Sequence, residues 1–153
     1  QNNPRNVFLN GQLFIEMQCD LILREYFCKG NTGTDNRRRT LFWKFLTSRN
    51  MDFFTKIQLL KTLEIIDEEG AVTRPFDTTI YTSLKAIGAV RNAFQHHLDY
   101  SEALGSLTNG DKFVFWKKNP LSSYDNVEML KNDFITEASS LYDNLHNFSL
   151  NQV

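Results

Sequence analysis

Between residues 80 and 98 the apolar side chains Ile80, Leu84, Ile87, Phe94 and Leu98 fall at offsets 0, 4, 7, 14 and 18, the spacing of one face of an α-helix. Offset 11 on that face belongs to Arg91. A helical period also runs over 7–29, where Phe14, Met17, Leu21 and Cys28 form one line and Leu13, Ile15, Ile22 and Leu23 widen the arc expected to be buried. This predicts a central helix contacted from several sides. It is closed by Gly30 and the turn-rich stretch GNTGTDN over 30–36.

Downstream, 37–50 has a basic start followed by Leu41, Phe42, Phe45 and Leu46 at helical spacing. The segment 53–66 is read as an amphipathic helix capped by Asp52, with Ile57, Leu60 and Glu64 in line and Leu59, Leu63 and Ile66 alongside. Gly70 and Pro75 break the pattern over 67–77, and Asp77 or Thr78 supplies the cap of the helix that carries Arg91. After Leu98 the pattern changes. The Asn109-Gly110 pair followed by aromatic and β-branched residues predicts a small hairpin near 107–116. Val127, Leu130, Phe134, Leu141 and Leu145 then mark a closing helix, with 1–6 and 149–153 expected to fray. The fold class is therefore all-α: a single domain over 1–153, built as a bundle of about five helices with at most one minor hairpin.

Composition narrows the function classes. The 153 residues suit one domain, and 41% hydrophobic and 23% charged residues with a net charge of -1 describe a globular protein, so nucleic-acid binding would have to come from local clusters. No apolar run is long enough to span a bilayer and the first residues do not read as a leader, which points to a cytoplasmic protein. Cys19 and Cys28, nine residues apart on one helix, stand roughly 13 Å apart and out of disulfide reach, as buried thiols in a reducing compartment would. No Gly-rich phosphate loop, nucleophile elbow or zinc-ligand spacing is present, and no metal or cofactor is expected. His146 is read as an exposed helix residue.

A guanidinium on a core-facing stripe needs an acid from a neighbouring helix or an opening onto a polar cleft. Glu16 and Asp20 on the first helix are the candidate acids for a structural ion pair; the alternative is a groove or subunit interface that binds an anion. His96 and His97 follow within two turns. Imidazole beside guanidinium suits phosphoryl chemistry, because the imidazole moves a proton near neutral pH. On a straight helix, however, His96 is rotated about 140° from Arg91 and His97 about 120° the other way. The groups can cooperate only if the helix ends or bends near Gln95, or if two chains share the site.

Arg91, Asn92 and His96 form an R-N-x-x-x-H pattern that resembles the R-x(4 to 6)-H motif of the HEPN superfamily of small all-α domains. The succession of LNGQLFIEMQCDLILREYF, FFTKIQLLKTLEII and SLKAIGAVRNAFQHH resembles its mannitol-repressor-like branch in order and character, over roughly residues 7–100. The resemblance implies a metal-independent endoribonuclease working as a homodimer, in a toxin-antitoxin or defence setting, with an antitoxin or regulatory protein as partner. It implies His96 as general acid or base on the ribose 2'-hydroxyl and the leaving oxygen, with His97 fitting the wider spacing. It implies Arg91 stabilising charge on phosphorus, Asn92 orienting the histidine or a phosphate oxygen, and products with 2',3'-cyclic phosphate ends. The alternative reading is a non-catalytic HEPN-like scaffold or a transcriptional regulator.

Two further clusters have the composition to hold RNA: Arg37, Arg38 and Arg39 after the loop, and Phe115 with Trp116, Lys117 and Lys118, where aromatic and basic groups interleave. The competing readings are a solvated helix start and a hairpin packed on the core.

Overall fold

The computed structural model describes residues 4–28, 37–107, 114–115, 119–120 and 127–151. In chain order the elements are α1 (Pro4–Phe27), α2 (Arg37–Leu46), α3 (Phe53–Thr62), β1 (Ile65–Ile66), β2 (Val72–Thr73), α4 (Thr78–His96), α5 (Tyr100–Leu107), β3 (Val114–Phe115), β4 (Asn119–Pro120) and α6 (Val127–Asn151). The all-α class holds, with six helices among the described residues and two minimal antiparallel hairpins, β1-β2 and β3-β4. No helix among the described residues is long and apolar enough to cross a membrane.

α1 is the central element expected, packing against α2, α3, α4 and α6. Ile15, Ile22, Leu23 and Cys28 are buried as expected, but the rest of the seam differs. Phe8, Gln12, Ile15, Cys19 and Ile22 are buried, whereas Phe14, Leu13 and Met17 are 60%, 53% and 47% exposed. Both lines satisfy the helical period. The one that packs carries Phe8, whose ring meets Phe94 of α4 at 4.5 Å and Phe134 of α6 edge-on at 5.0 Å, tying three helices together. Close approach of α1 to α6 requires Gly11, where a Cβ would stand 2.6 Å from the Phe134 ring.

The caps fall where local chemistry places them. Asp52 accepts from the Thr55 N–H at 2.7 Å at the start of α3, and Asp77 accepts from Thr79 and Ile80 N–H at the start of α4. α3 stops at Thr62, four residues short of the expected 66, because the β-branched pair Ile65-Ile66 turns into β1. Asp67 Oδ1 accepts from Glu69 and Ala71 N–H, and Gly70 takes φ +86°, which closes the turn to β2. Carbonyls around the end of α3 are satisfied from outside, by Arg74 on Lys61 and Leu63 and by the Tyr26 hydroxyl on Glu64.

α4 ends at His96, with His97 as its extended cap, so Leu98 leaves the stripe and is 88% exposed. α5, which the sequence pattern did not announce, packs on α4. The second hairpin, expected near 107–116, pairs Val114 with Pro120 and Phe115 with Asn119; the Asn109-Gly110 pair lies outside the described residues. α1 begins at Pro4 and α6 continues to Asn151, inside both stretches expected to fray. Cys19 and Cys28 are free and buried; burial pushes the Cys19 thiol far above its ordinary range.

Candidate functional site

Glu16 and Asp20, the candidate acids for a structural ion pair with Arg91, belong to another cation. Lys56 of α3 is 2% exposed, with its Nζ 2.5 Å from Glu16 Oε2 and 2.9 Å from Asp20 Oδ1. Burial alone lowers its affinity for a proton, but hydrogen bonds to both carboxylates more than offset this and hold it above the ordinary lysine value. Burial raises the Asp20 carboxyl, against the pull of Lys56. Lys56 shows the same signal as Arg91, a cation among apolar positions (Phe53, Ile57, Leu60) on one helix face, and it was missed because its partners lie 36 and 40 residues away.

Arg91 is half-buried, and among the described residues it makes no ion pair; its Nη1 donates to Asn92 Oδ1 at 3.1 Å. It lines a polar cleft of about 280 Å³. Gln12 and Glu16 form the α1 wall, and Gly88, Arg91 and Asn92 the α4 wall. The third wall comes from Ser48, Arg49 and Asp52 in the turn before α3 and from Phe53 and Phe54 at its start. Gly88 is required there, since a Cβ would stand 2.9 Å from Phe53 Cδ2 and 3.0 Å from Phe54 Cζ. Arg49, a second cleft cation that sequence reasoning missed, lies in a turn outside any motif and makes no ion pair among the described residues.

The structure brings Arg91 and Asn92 together and leaves the histidines outside. Neither His96 nor His97 lines the cleft. His96 is exposed at the last residue of α4, and His97 Nδ1 lies 4.0 Å from Glu102 Oε2 of α5. Of the other candidates, Arg39 is bound to Glu25, its Nη1 donating to Oε2 at 2.9 Å, and it holds that carboxyl below the ordinary range. That pair fastens α2 to α1 and makes Arg39 structural. Arg37 and Arg38 are exposed at the start of α2, and the guanidinium of Arg24 on α1 lies 4.8 Å over the Trp43 ring of α2. Trp116, Lys117 and Lys118 lie outside the described residues. His146 is half-buried and stacked on Tyr142 at 5.6 Å. Among the described residues no three His, Cys, Asp or Glu side chains gather as a metal site.

No family model matches the chain, and no curated protein or solved structure matches it.

Proposed function

We propose that the chain is a metal-independent endoribonuclease of the HEPN kind, acting as a homodimer. The observation that supports this reading is that Arg91 stands at the wall of a polar cleft with no carboxylate bound to it among the described residues, so its charge is available to an anion from outside the chain. In the cleavage step a base removes the proton of the ribose 2'-hydroxyl, whose oxygen attacks the adjacent phosphorus. The bond from phosphorus to the 5'-oxygen breaks and that oxygen takes up a proton, giving a 2',3'-cyclic phosphate and a 5'-hydroxyl. Arg91 stabilises the charge that builds on the phosphoryl oxygens, and Asn92 holds the guanidinium in place. His96, or His97 beside it, moves the protons. Because both imidazoles lie outside the cleft of their own chain, a two-fold partner has to supply them, and their place at the end of α4 leaves them accessible to one. The setting is a toxin-antitoxin or defence system, with RNA as substrate and an antitoxin or regulator as protein partner.

The same placement of the histidines favours a second reading: a HEPN-like scaffold or mannitol-repressor-like regulator that binds an anion without cutting. Incubating the purified chain with an RNA oligonucleotide in chelator separates the two. The nuclease reading expects cyclic-phosphate ends that disappear in Arg91→Ala and His96→Ala, with unfolding unchanged; intact RNA leaves the binding reading.

A further inference from the structure

The cleft offers more than a grip on phosphate. Arg49 and Arg91 line it from different walls, and neither makes an ion pair among the described residues. Glu16 lines it from α1, its Oε1 accepting from Gln12 Nε2 at 2.8 Å and its Oε2 from the buried Lys56 at 2.5 Å. These two contacts fix the carboxylate and leave each oxygen a further lone pair. Asp52, the other acid in the lining, has Oδ1 engaged by the Thr55 N–H. A carboxylate repels phosphate and seeks hydrogen-bond donors, so a ligand that satisfies all three walls carries an anion and a donor edge on one body. Phe54, 36% exposed, gives that body an aromatic face. At about 280 Å³ the space falls just below the range of pockets that enclose drug-sized molecules, and a single nucleotide unit is the matching size.

Among the bases, two adjacent donors facing two carboxylate oxygens are found on the Watson–Crick edge of guanine, at N1–H and the N2 amino group. Adenine and cytosine place a ring acceptor beside their amino group, and uracil sets its imide N–H between two carbonyls. We propose that the cleft is a subsite for one guanine nucleotide of single-stranded RNA: phosphate on Arg49 and Arg91, base on Phe54, and Watson–Crick edge donating to Glu16. This rests on the reading of RNA as the ligand, and not on cleavage.

Titration of the whole chain with 5'-GMP and 5'-AMP, followed by calorimetry or NMR, tests it. GMP is expected to bind roughly ten-fold or more tightly than AMP, the worth of one good bidentate base contact. Arg49→Gln should weaken both nucleotides by a similar factor and keep the preference, whereas Glu16→Gln should erase it. If Glu16→Gln fails to fold because Lys56 loses a partner, Arg49→Gln and Phe54→Ala carry the test, each weakening both nucleotides. Equal affinity for the two nucleotides, or no binding of either, overturns the proposal. RNA cleavage without base preference and unaffected by Arg49→Gln would overturn it while leaving the nuclease reading standing. GMP-selective binding with no cleavage would support it and remove the nuclease reading.

Discussion

Lys56 and Arg91 are both cations set in apolar helix faces, and the fold treats them in opposite ways. Lys56 is sealed at 2% exposure between two carboxylates of α1, so its charge is cancelled inside the chain. Arg91, on the neighbouring α4, has among the described residues only a neutral amide partner, and it faces a polar cleft. A buried cation held between carboxylates weakly argues for stability and has its own charge withdrawn from external use; a half-buried guanidinium with no ion pair among the described residues is held in place while its charge stays available. The difference separates a structural cation from a binding one, and each half can be challenged separately.

The largest effect is expected at the sealed pair. Lys56→Met strands the Asp20 carboxylate, itself 4% exposed, and should cost about 3–5 kcal/mol in urea unfolding. Replacing Lys56, Glu16 and Asp20 together with apolar residues of similar volume should recover most of that loss, whereas Arg91→Met should change stability by less than about 1 kcal/mol.

Next in size is catalysis. Arg91→Ala should lower the rate of RNA cleavage by roughly 10²–10³-fold, as removal of a transition-state charge contact does. An undiminished rate would place the anion elsewhere.

Gly88→Ala should destabilise by about 1–2 kcal/mol, because the added Cβ meets Phe53 and Phe54 and the gain in helix propensity offsets only part of the overpacking. Displaced rings should also narrow the cleft and weaken nucleotide binding, which a titration of the variant reads directly.

A smaller effect of about 1 kcal/mol is expected for Asp77→Ala, from loss of the cap on the helix that positions Arg91.

Titration gives the last contrast. Lys56 is held above its ordinary value, so its contribution is fully present below about pH 10.5 and is lost as pH rises through the higher folded-state value. The unfolding midpoint of the wild type should therefore fall in strong alkali, and that component should be absent in Lys56→Met. Asp52 and Glu25 run the other way. Their carboxyls are held low, by the Thr55 N–H and by Arg39 respectively, so what they contribute is present above their ordinary values and lost as the solution is acidified.

The sequence made some parts legible because they depend on neighbours in the chain. Asp52 and Asp77 cap the helices that follow them, and the period over 80–94 places Leu84, Ile87 and Phe94 in the core with Arg91 half-buried between them. What stayed hidden depends on distant partners. The line through Phe14 and Met17 is as periodic as the line through Phe8 and Ile15, and only the rings of Phe94 and Phe134 decide between them. α3 read as longer than it is because Leu63 and Ile66 continue the apolar period past the point where β-branched residues and the Asp67 turn redirect the chain. The choice between a structural ion pair with Glu16 or Asp20 and an open cleft for Arg91 stayed undecided for a related reason: Lys56 stands in an equally apolar face and is the cation that meets those acids. Arg49 carried no signal, because a turn residue joins a cleft only once three elements have met.

The most direct test of the Lys56–Arg91 contrast is the affinity of a non-cleavable RNA strand, with the attacking 2'-hydroxyls removed, for the wild type and for Arg91→Met, measured alongside urea unfolding of both. The account expects Arg91→Met to bind about ten-fold or more weakly and with a shallower salt dependence, while its unfolding midpoint stays where it was. Unchanged RNA affinity, or a loss of stability on the scale of Lys56→Met, would show that Arg91 serves the fold and not a ligand.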